Sequence, residues 1–263
     1  MKFATTAARH QRILTLLRDR REVRAALLVR ELGVTPMTVW RDLKLIGEQG
    51  LLRRVRGGAL PSAGDGEPDF ETKATEAGKA KARIAAVAVR EFVREGDVIA
   101  LEGGTTVAAL VDALPEGRIS VITNSLPVAL RIRQQRPSLP VRVVGGWLSP
   151  ISGNSTGPGA LKEARKDRVS ACFLSATGWD PAHGPMDPNP LEIEMKRAFA
   201  GCAGRVVLLM DSRKFSTTST SVMIHPRRLS AVVTDAMPPK SVVAQLRNAG
   251  VRLVVAPRKM SDR

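Results

Sequence analysis

Ala25-Ala26-Leu27-Leu28-Val29-Arg30-Glu31-Leu32-Gly33-Val34-Thr35-Pro36-Met37-Thr38-Val39-Trp40-Arg41-Asp42-Leu43 reads as helix, tight turn, helix. The first of the two covers roughly Arg24 to Leu32 and stops at Gly33, a residue suited to a left-handed C-cap. Thr35 is a good N-cap, and Pro36 fits the first helical position, where no backbone donor is needed. Val39, Leu43 and Ile46 form an apolar stripe; Met37, Thr38, Arg41, Lys44 and Glu48 lie off it. Upstream, Ile13, Leu14, Leu16 and Leu17 have helical spacing and predict a helix from Ala7 to Arg18.

Such a helix pair places its second helix in the major groove, with its N-terminal residues at base edges and the rest at phosphates. Arg41 is the first candidate for contact. Thr38 and Met37 suit a thymine methyl or a phosphate, and Thr35 and Lys44 complete the set on this helix. Trp40 borders both faces, and packing over the preceding helix and contact with DNA both fit it. Leu51-Leu52-Arg53-Arg54-Val55-Arg56-Gly57-Gly58 then reads as a wing, a small hairpin whose Arg53, Arg54 and Arg56 lie along the backbone or minor groove.

Charge agrees. The 263 residues carry a net charge of +16. Residues 1–60 hold thirteen Lys or Arg against five Asp or Glu, half the excess in under a quarter of the chain. A local basic surplus attracts a polyanion. Two cysteines, Cys172 and Cys202, make no disulfide framework, and three scattered histidines offer no metal-ligand spacing. No cofactor or metal is implied. No apolar run is long enough to span a bilayer and the start lacks a signal-peptide core, so the expectation is a cytoplasmic protein with no membrane partner.

Residues 61–75, rich in Pro, Gly and acid, read as a linker between a 1–60 domain and a 76–256 domain, with 257–263 a tail. In the second domain short apolar runs recur at 98–101, 119–122, 141–144, 171–174, 206–210, 231–233 and 251–255. Helix-like segments intervene at 80–93, 106–113, 191–203 and 240–249. Alternation of this kind implies a mostly parallel sheet covered on both faces. Ligands of open α/β sheets bind outside the carboxyl ends of the strands. There stand Glu102-Gly103-Gly104-Thr105-Thr106, Thr123-Asn124-Ser125, a loop with Thr156-Gly157, Ser175-Ala176-Thr177-Gly178-Trp179-Asp180 and Asp211-Ser212-Arg213-Lys214. Glycines let backbone amides approach an anion and hydroxyls add donors. Together these loops suit a sugar phosphate.

The ordered series also resembles the DeoR family of bacterial transcriptional regulators over roughly residues 9 to 256. Its carriers include Thr38-Val39-Trp40-Arg41-Asp42-Leu43, Gly57-Gly58-Ala59, Gly103-Gly104-Thr105-Thr106, Thr123-Asn124-Ser125, Gly178-Trp179-Asp180, Glu194-Met195-Lys196 and Asp211-Ser212-Arg213-Lys214-Phe215. The resemblance implies a winged helix-turn-helix repressor, mostly α, joined to an α/β domain with the fold of ribose-phosphate isomerases and CoA-transferases. It implies double-stranded operator DNA and a phosphorylated sugar as partners, and a homo-oligomer, dimer or tetramer. By position, Gly103, Gly104, Thr105 and Thr106 with Thr123, Asn124 and Ser125 would hold the effector's phosphate end, near Gly157. Asp180, Glu194 and Lys214 would face its hydroxyls or carbonyl. Trp40 and Arg56 depart from the family's usual arginine and histidine. Trp179 replaces a small aliphatic and is expected to shrink the pocket or stack on a ligand. Two other functions compete. An isomerase-like enzyme would use Asp211 with Lys214 or Glu194 as an acid/base set, and a non-specific DNA-coating protein would need charge alone.

Overall fold

The computed structural model describes residues 5–20, 22–48, 52–55, 57–61 and 70–257. The chain forms two compact units, Met1–Glu67 and Pro68–Arg263.

In the first unit, α1 (Thr6–Arg20), β1 (Val23–Arg24), α2 (Ala25–Leu32) and α3 (Pro36–Glu48) precede a hairpin of β2 (Leu52–Val55) and β3 (Gly58–Pro61). Gly33 caps α2 at φ 65°, its N–H reaching the Val29 carbonyl, and the Thr35 hydroxyl accepts the Thr38 N–H at 3.2 Å. Both caps are those expected from sequence. Val39, Leu43 and Ile46 are fully buried against Ile13, Leu16, Leu17, Leu28 and Leu32. α1 is tied to α3 by Arg9, whose guanidinium donates to both oxygens of buried Asp42 at 2.7 and 3.1 Å. The sequence reading left unseen that β1 adds a third strand, pairing with β3. Gly58 permits this, since a Cβ there would strike the Val23 carbonyl.

The second unit is a seven-stranded sheet, all parallel, in the order β15-β14-β12-β9-β4-β5-β6. Each strand falls on one of the seven apolar runs. Its helices and strands as far as the β6 edge of the sheet are α4 (Phe70–Thr75), α5 (Gly78–Phe92), β4 (Val98–Leu101), α6 (Thr105–Ala108), α7 (Leu110–Ala113), β5 (Ser120–Thr123), α8 (Leu126–Gln135) and β6 (Val141–Val143). Then follow a small hairpin of β7 (Trp147–Leu148) and β8 (Ser155–Thr156), α9 (Pro158–Ala164), β9 (Val169–Ser175), β10 (Gly178–Asp180), β11 (Gly184–Asp187), α10 (Pro190–Cys202) and β12 (Ala203–Leu209). A 3-10 turn (Ser212–Ser216), β13 (Ser221–Val222), β14 (Ala231–Thr234), α11 (Lys240–Asn248) and β15 (Arg252–Val255) complete it.

Side chains alternate across each strand, so the sheet builds two cores. Ala100, Ile122, Cys172, Leu174, Leu208 and Val232 pack with α9, α10 and α11. Ile99, Leu101, Val121, Phe173, Leu209 and Val233 pack with α5 to α8. The segment read as a linker ends in α4, whose Phe70 packs on the second of these cores; residues 62–69 and 258–263 lie outside the described ones. The antiparallel β10-β11-β13 sheet was not foreseen, because strands of two to four residues leave no periodicity to read.

Candidate DNA-reading surface and sensor site

On α3 the buried stripe leaves Met37, Trp40, Arg41, Lys44 and Leu45 outside, all exposed. Trp40 is 38% exposed, so it is neither core nor fully open to solvent. Lys44 pairs loosely with Glu48 at 3.8 Å. The Thr35 and Thr38 hydroxyls are 2.9 Å apart and engaged in the helix cap. Arg53 and Arg54 are exposed on the wing strand; Arg56 lies outside the described residues. This unit thus offers one helix face and one strand whose outward charges are basic apart from Glu48, the footprint expected for a duplex backbone.

In the sensor unit the carboxyl ends of β12, β9, β4 and β5 lie side by side. Neighbouring strands are about 4.8 Å apart, so these four ends span roughly 14 Å, room for a small phosphorylated metabolite. Gly103 and Gly104 follow β4. A Cβ at Gly103 would overlap the Asn154 amide, and one at Gly104, held at φ 122°, would overlap the Ser175 hydroxyl. Ser175 in turn donates to the Gly103 carbonyl at 3.0 Å. Thr123 is committed inward, its hydroxyl donating to the Leu101 carbonyl at 2.6 Å and accepting the Ser125 N–H. Asn124 donates to the Ser155 carbonyl at 3.1 Å, and Ser125 bridges Asn154. Gly157, at φ 98°, sits at the N-cap of α9 under the Trp147 ring.

Cations gather on the α5 side. Lys214 donates to the Ala176 carbonyl at 2.9 Å, and Arg213 pairs with buried Asp211. Lys81, in the first turn of α5, was not foreseen. Burial first, and then the charge of Lys214, pull its ammonium down to about 8. It donates to the Lys73 carbonyl.

On the α10 side lies a buried charge cluster, also unforeseen. Lys196 is 2.5 Å from Asp187 and 3.8 Å from Glu102. Burial alone would lower the Lys196 ammonium, but the charges of Asp187, Glu102 and Glu192 outweigh it and hold it above the ordinary lysine value. Burial pushes the Glu102 carboxyl well above the usual range, with Lys196 only partly opposing. Glu192 accepts from the Ser152 hydroxyl at 2.6 Å and the Asn154 amide at 3.3 Å.

Three expectations need correction. Glu194 is exposed on the outer face of α10. The inward face carries Glu192, Met195, Lys196 and Phe199, at spacings of three, four and seven, so a helical-phase count would have chosen Glu192. Asp180 is taken up by its own turn, accepting the Ala182 and His183 N–H groups at 2.8 and 2.7 Å. These bonds, the His183 amide foremost, hold its carboxyl below the usual range. The acid that this hairpin brings to the charge cluster is Asp187. Trp179 does not stack on a ligand: it is core, its indole N–H donating to Gln245 at 2.8 Å and its ring tilted on Phe215.

A basic helix-turn-helix unit followed in the same chain by a parallel α/β unit with polar strand ends defines a DNA-binding regulator with its own sensor. Residues 9–62 match the DeoR-like helix-turn-helix domain, and residues 76–236 match the DeoR C terminal sensor domain. The chain belongs to the DeoR family of transcriptional regulators. It is 31% identical over 247 residues, 93% of this chain and 97% of the relative, to the glycerol-3-phosphate regulon repressor of Escherichia coli strain K12. It is 27% identical over 248 residues to the transcriptional repressor CsqR of the same organism, covering 94% of each. Among solved structures, ribose 5-phosphate isomerase from Plasmodium falciparum overlays 52% of each chain at 15% identity, with a TM-score of 0.38. Among the described residues, no helix is long and apolar enough to cross a membrane.

Proposed function

We propose that this chain is a cytoplasmic repressor of carbohydrate-catabolism genes. It binds operator DNA as a homo-oligomer, and a phosphorylated sugar in the sensor unit alters its operator affinity. A row of buried polar atoms without hydrogen-bond partners among the described residues carries the reading. They are the Glu102 oxygens, Thr106 Oγ1, Asn124 Oδ1, Ser125 Oγ, Asn154 Oδ1, Asp211 Oδ2 and Thr234 Oγ1. Each leaves a cost of about 1–3 kcal/mol unless something bonds it. All seven residues stand at or beside the carboxyl ends of sheet strands, where open α/β sheets take their ligands. The name of the glycerol-3-phosphate regulon repressor agrees with the ligand class.

We assign the phosphate end to Gly104, Thr105 and Thr106 with the cations Lys81 and Lys214, and the other end to Asn124 and Ser125; this exchanges the roles that the family resemblance implies for Lys214 and for Asn124 and Ser125. Two operator half-sites require two reading helices, hence a dimer or a dimer of dimers. The effector acts through its different affinity for DNA-competent and DNA-incompetent arrangements. We read the role as regulatory, in line with the names of the relatives; of the two acid/base alternatives, Asp211 with Glu194 is the one whose second member is exposed on the outer face of α10. Thermal-shift titration of the full chain with sugar phosphates and inorganic phosphate tests the ligand class. Concentration-dependent stabilisation by one or more of them is expected; indifference to all refutes it.

A further inference from the structure

Both side-chain amide nitrogens at the α10 end of the sensor site already have an acceptor. The Asn124 amide nitrogen faces the Ser155 carbonyl, and the Asn154 amide nitrogen faces Glu192. Those neighbours fix both amide orientations, because a reversed amide would set oxygen against oxygen. What is left unbonded on the two amides is acceptor, Asn124 Oδ1 and Asn154 Oδ1; the Ser125 hydroxyl and the Glu102 carboxyl, which burial holds well above the usual range, are able to act either way. These groups are adjacent. Ser125 bridges Asn154, whose amide lies on Gly103, next to Glu102. Behind them stand Asp187 and Glu192, with Lys196 seated between Asp187 and Glu102.

We infer that this end of the site is an acceptor pole that takes hydroxyl groups and rejects carboxylates, so the effector is a phosphorylated sugar or polyol and not a phosphorylated sugar acid. The inference rests on the sugar-phosphate reading above. A hydroxyl brings the donor that each buried acceptor lacks. A carboxylate brings only acceptors, and adds a negative charge beside Asp187 and Glu192, whose neighbouring cation Lys196 is already paired with Asp187. A site that places buried polar groups for a hydroxyl discriminates strongly against a ligand that leaves them unpaired, and juxtaposed like charges add to the penalty.

The test is calorimetric titration of the full chain with matched pairs: glycerol 3-phosphate and 3-phosphoglycerate, glucose 6-phosphate and 6-phosphogluconate. Inorganic phosphate is the common reference. In every pair that binds, the hydroxyl member is expected to bind at least about tenfold tighter. Glu192→Gln, checked for folding by a cooperative thermal transition, narrows the gap to about threefold by improving the acid. Equal or tighter binding of the acids by the wild-type chain overturns the inference, as does an unchanged gap in folded Glu192→Gln. Should that variant not fold, the wild-type ratio alone decides. If phosphate binds and every pair is indifferent to oxidation, the pole is refuted and the phosphate end stands. If nothing binds, the sugar-phosphate reading falls with it.

Discussion

The side-chain amide of Asn154 occupies the space that a Cβ on Gly103 would fill. The loop after β4 and the loop before β8 are therefore fitted to each other at a glycine, and Ser175 is fitted to Gly104 in the same way. Gly104→Ala would add a clash and a φ of 122° that non-glycine residues resist. It is expected to destabilise the sensor unit by about 1–3 kcal/mol and abolish effector response. Denaturant unfolding and operator titrations check the two effects.

Asp42 is the buried acid that joins α1 to the reading helix, and its bonds to Arg9 hold the guanidinium above its ordinary value. His10 also reaches it at 3.2 Å. Removing the acid strands a largely buried cation. Asp42→Ala is therefore expected to cost about 3 kcal/mol and to weaken operator binding without touching DNA directly. Chemical denaturation followed by binding measured well below the transition would show both.

Arg41 and Arg53 are expected to make two kinds of contact. Arg41→Ala is expected to weaken operator binding and relax preference at particular base pairs. Arg53→Ala should weaken all sequences alike and reduce the salt slope by about one. Equal losses on every sequence for Arg41→Ala would place it among the phosphate contacts.

Lys81 is expected to give the proposed phosphate end a pH dependence. Burial and Lys214 lower its ammonium to about 8, with Asp211 and Glu76 opposing and Arg213 adding to the shift. The charged form attracts the effector's phosphate, which is already dianionic above neutrality. Affinity should therefore be full below pH 8 and fall as pH rises through and beyond it. Lys81→Met should bind weakly and without that slope between pH 7 and 9.5, measured by calorimetry.

The architecture was legible because its signals are periodic or chemical. Thr35 and Gly33 mark the helix-turn-helix by capping, and each strand of the parallel sheet is an apolar run. The glycine-threonine loop could be placed at a strand end because strand and helix flank it. What was missed lies in side-chain direction and in long-range meetings. Glu194 and Glu192 are two residues apart on one helix, and only phase against Met195 and Phe199 separates them. Asp180 looked like a ligand group until its turn consumed it. Lys81 and Asn154 come from elements far away in sequence, and no local pattern announces that α5 and the β7-β8 hairpin converge on these loops.

The most direct measurement is fluorescence anisotropy of the full chain on DNA from its own upstream region, at fixed salt, titrated with sugar phosphates. Tight, sequence-specific binding that one compound shifts, with the shift lost in a Thr105→Ala, Ser125→Ala double variant that still binds DNA, is the predicted result. Binding without sequence preference, or specific binding that the double variant leaves fully responsive, would contradict it.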